Sequence, residues 1–494
     1  MVFVAYLALQ TSQLTVGEVL TKVRSAVSIQ DAAPKEIQVT GKATYLGVDG
    51  DYTMRFQPNG QYVQTMRGPL QAGVGFDGQI HWQTDPSGFS EVELGEDAEL
   101  ADAVANLLTN RWLRRGALRE AHLLASSGDP IVLIRGWGQD IPEKVTVDSS
   151  SWLPKAAEFA THAGVIRMTF SNWTLSGGGK LPFHSTVDQA GAVTTYEVEH
   201  ATAAETISTY SVPKEQPQDF RYDGSVPPVI EAQSIRGHLF VHPKINGKDI
   251  GWFILDTCAE VMMIDIKAAD SINLQKVGGS PITGIGGTIV EPFRIADEVT
   301  LGPSHEQHMV FSELDAGFLT KAFGIPVAGI VGADMFRRFV FEIDVEKPRV
   351  AIYDATKYQL SSSKWEPLYF FGGNPAVQAT FEGDRTGYVE LDTGSNNDIM
   401  VNSPFVWGFH LLDGRKQSES AVGGFGGGAE STGGVLEWLN IGGHRFEKLD
   451  AVFSLADQGA LANPYVFGVA GEPVMKPFNI VYDFGHYRIA FLPK

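Results

Sequence analysis

The chain repeats itself, and the repeat limits the fold more than any bulk property does. Ile245-Asn246-Gly247-Lys248-Asp249-Ile250-Gly251-Trp252-Phe253-Ile254-Leu255-Asp256-Thr257-Cys258 returns as Phe381-Glu382-Gly383-Asp384-Arg385-Thr386-Gly387-Tyr388-Val389-Glu390-Leu391-Asp392-Thr393-Gly394. In both copies one glycine stands nine residues before the aspartate and another five before it, and an aromatic follows the second glycine. Further on, Val310-Phe311-Ser312 matches Val452-Phe453-Ser454, and Gly329-Ile330-Val331-Gly332 matches Gly468-Val469-Ala470-Gly471. Phe339, Asp344 and Arg349-Val350-Ala351 match Phe478, Asp483 and Arg488-Ile489-Ala490 at one offset. So many matches in one order mean two copies of one structural unit, expected at 234–356 and 364–494.

In each copy an apolar strand runs into Asp-Thr. Such a strand anchors a sharp turn that pushes a carboxylate out of a sheet, where threonine can hydrogen-bond the backbone and glycine allows close approach of another chain segment. A lone Asp-Thr-Gly carries little information. Here a hairpin precedes it, a glycine-rich segment follows about 30 residues on, an apolar-apolar-Gly segment lies beyond, and all are present twice.

With these features the region resembles the retropepsin-like aspartic proteases in a bacterial two-lobe, single-chain form. The resemblance covers about 260 residues. It implies a mainly β fold of two tandem acid-protease lobes, with Asp256 and Asp392 as a catalytic pair that shares one proton, because two close carboxylates do not both ionise cheaply. It implies loop support from Thr257, Cys258, Thr393 and Gly394, and flaps at Gly284, Gly286 and Gly287 and at Gly424, Gly426 and Gly427. It also implies a substrate contact at Glu260, with Asn396 at the matching place in the second copy; a solvated turn residue is the alternative for Glu260. No metal or organic cofactor is implied.

Three departures stand out. Cys258 replaces the expected glycine, Gly468-Val469-Ala470-Gly471-Glu472-Pro473 is a looser match than its partner, and the flap segments lack the tyrosine of pepsin-like enzymes. Three functions therefore remain open: an aspartic endopeptidase acting on peptide or protein, a silenced protease kept as a peptide- or protein-binding module, and a carrier of lipid or hydrophobic cargo working through the N-terminal region. Cys258, the only cysteine, excludes an internal disulfide and reads as a small buried hydrophobe.

Residues 14–212 read as an α+β domain. Val16, Leu20, Val23 and Val27 recur at helical spacing, and a second helix is expected over Asp97 to Leu113. Between and after them come strand signals, including the hairpin Val74-Gly75-Phe76-Asp77-Gly78-Gln79-Ile80-His81-Trp82. This order and that phrase resemble LolA-like lipoprotein-carrier half-barrels. Gly73-Val74-Gly75-Phe76-Asp77-Gly78 formally matches a dinucleotide fingerprint, but a strand rather than a helix is expected after it. Pro213, Pro217, Pro227 and Pro228 mark 213–233 as an extended linker.

Val2 to Leu9 in the 1–13 segment is a short apolar run without a basic flank. It reads equally as a signal-peptide remnant, which would imply a periplasmic or secreted protein, or as a first strand. No other apolar run approaches a membrane span. The net charge of −20 disfavours nucleic acid and anionic lipid as partners. His305 and His308 lack a third ligand nearby, so a metal site is not expected.

Overall fold

A computed structural model of the chain describes residues 14–29, 35–45, 47–126, 128–137, 139–204, 209–214, 217, 219–360 and 364–494. The Val2–Leu9 run lies outside the described residues.

The chain is mainly β, as expected. The first helix spans Val16–Val27. Thr15 caps it: its hydroxyl accepts from the Glu18 amide at 3.2 Å, and the Glu18 carboxylate accepts from the Thr15 amide at 2.8 Å. A second helix, Glu96–Leu108, opens with Glu96, Asp97 and Glu99 in its first turn, where the helix dipole favours anions. Both lie on one face of a 13-stranded antiparallel sheet built from residues 36–204. Val19, Val23 and Leu107 from the helices meet Val132, Phe159 and Met168 from the strands. The sheet is two meanders joined where Glu36–Tyr45 pairs with Ala192–Ala204. The fingerprint-like glycines fall in the hairpin of Gln71–Phe76 with His81–Thr84. A Cβ on Gly75 would sit 2.4 Å from the Trp82 indole, so this glycine makes room for a cross-strand aromatic.

Two short strands of the proline-bearing 213–233 segment are tethered. Phe220–Tyr222 pairs with the strand Ser304–Leu314, and Val229–Ile230 pairs with Arg349–Asp354.

The repeated residues take equivalent pairings. In the first copy Trp252–Leu255 runs parallel to Val327–Val331, and Met263–Asp265 is antiparallel to that same strand and parallel to Ser304–Leu314. In the second copy Arg385–Leu391 runs parallel to Gly468–Ala470, while Ile399–Val401 is antiparallel to it and parallel to His444–Ser454. A six-stranded sheet joins the copies through Phe339–Asp344 and Phe478–Asp483. In its register Phe341 opposes Tyr482, Glu342 opposes Val481 and Ile343 opposes Ile480. Glu342 and Val481 are counterparts in the repeat, so each faces its own equivalent. That is the pairing an internal twofold axis demands.

Candidate active site

Asp256 and Asp392 each leave the end of an apolar strand. The Asp256 amide donates to the Val331 carbonyl at 3.0 Å, and the Asp392 amide donates to Ala470 at 2.9 Å. Phe253, Leu255, Val389 and Leu391 anchor the strands in one shared core. Each carboxylate is then held by the amide two residues on, Cys258 to Asp256 Oδ1 at 2.9 Å and Gly394 to Asp392 Oδ1 at 2.7 Å. The glycines behind the loops have no room for a side chain. A Cβ on Gly332 would lie 2.5 Å from the Val261 carbonyl oxygen, and one on Gly471 would lie 2.4 Å from that of Asn397.

Thr257 and Thr393, both fully buried, cross-link the loops. The Thr257 amide donates to the Thr393 hydroxyl and the Thr393 amide to the Thr257 hydroxyl, both at 3.1 Å. Each hydroxyl donates onward, Thr257 to the Leu391 carbonyl at 2.5 Å and Thr393 to the Leu255 carbonyl at 2.7 Å. The two aspartates thus come within hydrogen-bonding reach of each other. Burial raises both carboxyls, and the nearby charge of Asp256 raises Asp392 further. The pair therefore holds a proton well above the usual carboxylate range.

The two halves are not identical. The Gly394 backbone lies against Asp256, so that a Cβ there would stand 2.4 Å from Oδ2. In the other half Cys258 carries a Cβ, and its sulfur lies 3.7 Å from the Leu391 carbonyl. Burial, then the charges of Asp392, Glu390 and Asp256, push its thiol far up, which leaves it a poor nucleophile. His238, without a counterpart in the motif, places Nε2 3.0 Å from the Gly394 carbonyl. Burial lowers its pKa, and its Nδ1 lies 3.3 Å from the Arg236 carbonyl.

The glycine-rich segments form hairpins that meet. Gln275–Gly284 pairs with Gly287–Leu301, and Val422–Gly424 pairs with Gly427–Ala429. The Gly286 amide donates to the Phe425 carbonyl at 3.3 Å, and a Cβ on Gly284 or Gly286 would stand 2.3 Å from the facing carbonyl oxygen. Gly287, Gly426 and Gly427 all have positive φ, which the tight tips require. Ile282 and Phe425 from these hairpins pack over a cluster that includes Ile254 and Met263. Asn396 is exposed beside Gly237. Glu260 is exposed to solvent, as a turn residue would be, and its carbonyl accepts from Arg337.

Sequence reasoning missed the part that the N-terminal region plays here. Arg337 is buried and donates to both oxygens of Glu91 at 2.8 and 2.6 Å, to Asp85 at 3.4 Å and to the Glu260 carbonyl at 3.0 Å. The turn at His162 and Ala163 reaches the first hairpin, where Thr288 donates to the Ala163 carbonyl at 2.7 Å, and the loop at Gly459, whose amide donates to the His162 carbonyl at 2.9 Å. No local motif announces these contacts. Among the described residues no group of three or more histidine, cysteine, aspartate or glutamate side chains is arranged to hold a metal ion.

No curated protein matches the chain at a significant level. Solved structures with similar portions include a LolA superfamily protein from Nitrosomonas europaea (14% identity, 39% of this chain and 96% of that one, TM-score 0.29). Another is Basic 7S globulin from soybean (11%, 55% and 95%, TM-score 0.34). A third is a retropepsin-like aspartic protease from Rickettsia conorii (15%, 24% and 86%, TM-score 0.18). Residues 241–335, the stretch that carries Asp256 and the first glycine-rich hairpin, match the aspartyl protease family model.

Proposed function

We propose that the chain is an aspartic endopeptidase in which Asp256 and Asp392 activate one water between them. The observation that carries this reading is the threonine cross-link that brings the two carboxyls within hydrogen-bonding reach of each other. The ionised member takes a proton from water as it attacks the peptide carbonyl, and the protonated member donates to the carbonyl oxygen. Collapse of the tetrahedral intermediate expels the amine, which leaves with a proton from the pair. The hairpins around Gly286 and Gly426 cover an extended peptide. The division into an N-terminal unit, a 213–233 connection and lobes at 234–356 and 364–494 belongs to this proposal. So does a periplasmic or secreted setting, which cell fractionation tests; among the described residues no helix is long and apolar enough to cross a membrane.

The carrier alternative rests on the N-terminal region, where a space of about 20 Å³ lies between Tyr52, Phe56, Leu108 and Leu181 and one of about 200 Å³ between Leu20, Trp112, Leu113 and Leu118. The deciding experiment is incubation with a diverse peptide library across pH, read by mass spectrometry, for the natural chain, Asp256→Asn, Asp392→Asn and the double variant. Each single change abolishes cleavage, and the double is no worse than either, because the groups act as a unit. Strong residual cleavage in a folded single variant rejects the pair. Selective peptide binding without any cleavage favours the silenced, binding-module alternative.

A further inference from the structure

His238, from the first copy, faces the active-site loop of the second. Its Nε2 lies 3.0 Å from the Gly394 carbonyl oxygen, and its Nδ1 lies 3.3 Å from that of Arg236. The ring is only 9% exposed and stands edge-on to Phe323, with centroids 4.9 Å apart, so its orientation is fixed. Gly394 touches both catalytic carboxylates. Its amide donates to Asp392 Oδ1 at 2.7 Å, and its backbone packs so closely on Asp256 that a Cβ there would stand 2.4 Å from Oδ2. A glycine has little conformational preference of its own, so a peptide unit in this place needs an anchor from outside the loop.

The other half is built differently. Phe240 opposes Ile254 as Ala376 opposes Glu390, which puts Asn374 at the position equivalent to His238. Asn374 hydrogen-bonds the Glu390 side chain instead. A neutral imidazole has one N–H and can donate to one of the two carbonyls; an imidazolium donates to both. Burial lowers the His238 pKa, although the two carbonyls and Asp256 act in the other direction. The charged groups around the ring are Asp256, across Gly394, and Glu472, whose carboxylate lies beside Gly237 and accepts from the Leu239 amide. The exposed Arg236 precedes it in the turn, and the helix Gly317–Phe323 packs the Phe323 ring against it.

We propose that His238 is a positioning residue of the catalytic pair, which ties the Gly394 carbonyl so that the loop of Asp392 stays against Asp256, and which ties it more tightly once protonated. The inference rests on the peptidase reading and names a regulation of that same site. Below its titration the His238 ring donates to both carbonyls and sets a positive charge across one peptide unit from Asp256. That charge favours the ionised form of the carboxyl. The pair therefore keeps its single negative charge to lower pH than it would without the histidine. The coupling is reciprocal, so ionised Asp256 favours the protonated ring by the same amount.

Two full-length variants and two readouts test this. His238→Gln places an amide nitrogen where Nε2 stands, so it keeps the tie and cannot be charged; His238→Phe keeps the ring and loses both. With a peptide that the natural chain cleaves, His238→Phe lowers kcat/KM by about ten- to a hundredfold, mainly through kcat. His238→Gln recovers most of the rate near neutral pH and moves the acid limb of the pH profile upward by about one unit. The second readout needs no cleavage. The His238 ring signals, assigned by their loss in His238→Gln, are titrated by NMR in the natural chain and in Asp256→Asn, with a lower midpoint expected in the latter. Thermal melts check that each variant is folded. A folded His238→Phe chain with the natural kcat/KM, or a His238→Gln chain with an unmoved acid limb, overturns the proposal and leaves the catalytic pair standing. A His238 midpoint that Asp256→Asn leaves unchanged overturns it whatever the cleavage result. A lowered midpoint in a chain that cleaves no peptide supports the tie and overturns the peptidase reading.

Discussion

Thr257 and Thr393 each give an amide proton to the other's hydroxyl, at the same 3.1 Å in both directions. Removing one hydroxyl leaves a buried amide and a buried carbonyl without partners, each worth about 1–3 kcal/mol. Thr257→Val therefore destabilises the chain by about 2–5 kcal/mol in denaturant titration, while Thr257→Ser, which keeps the hydroxyl, costs less than half of that. Peptide cleavage falls in parallel, because the carboxylates are no longer drawn together. A valine variant as stable as the natural chain would show that the cross-link is ornamental.

The asymmetry between Cys258 and Gly394 gives opposite expectations for two exchanges. Gly394→Ala places a Cβ against Asp256 and lowers kcat/KM by about a hundredfold, the scale of an ångström-sized misplacement. Cys258→Gly leaves kcat/KM unchanged or raises it, since it removes a side chain beside the pair; its cost is unfolded-state entropy of roughly 0.4–1 kcal/mol. A folded Cys258→Gly chain that cleaves far more slowly would give the sulfur a positive role.

Arg337 joins the 85–91 stretch to the region around Glu260 through contacts that close off Glu91 and Asp85 from water. Taking away one partner of a buried ion pair costs about 3–5 kcal/mol. Arg337→Leu is expected to lose that much stability. A fragment starting near residue 230 is expected to be less stable than the full chain and impaired in cleavage, because it loses Asp85 and Glu91, the partners of Arg337. A fragment with full activity and an unchanged melting temperature would reduce the interface to passive packing.

Several carboxyls are held protonated by burial, Glu143 and Glu472 up to about 8, Glu390 to about 7 and Asp334 to about 6. Between about pH 4.5 and 8 the folded chain keeps protons that the unfolded chain has released, so stability falls as pH rises. The melting temperature at pH 5 should exceed that at pH 8 by several degrees. Glu143→Gln keeps an acceptor for the Asn106 amide, 3.1 Å away, and should flatten the slope. A melting temperature that climbs steadily from pH 5 to pH 8 contradicts this account.

What could be read from the residues was local or repeated. Asp256, Asp392, both threonines and the hairpin glycines sit in short motifs that occur twice, so the pattern located them without any contact information. Arg337 meets Glu91 across 246 positions of sequence, and neither belongs to a motif. His162 and Ala163 form an ordinary hairpin turn whose neighbours only the packing of the sheet decides. Glu390 lay in plain view as a charged residue in an apolar strand, but its burial is decided by packing that no local pattern announces. The 213–233 segment has the prolines of a linker, yet its short strands find edges to join.

Glu342 facing Val481 has a further consequence. A site assembled from two copies of one polypeptide must carry every side chain twice, and any change alters both walls together. Here the equivalent strands are stitched across the axis within a single molecule, so assembly does not depend on concentration and the halves are free to diverge. Ile254 against Glu390, and Cys258 against Gly394, are differences that a single chain can hold and a symmetric dimer cannot. In the proposed peptidase, a peptide, which has a direction, would meet two unlike halves.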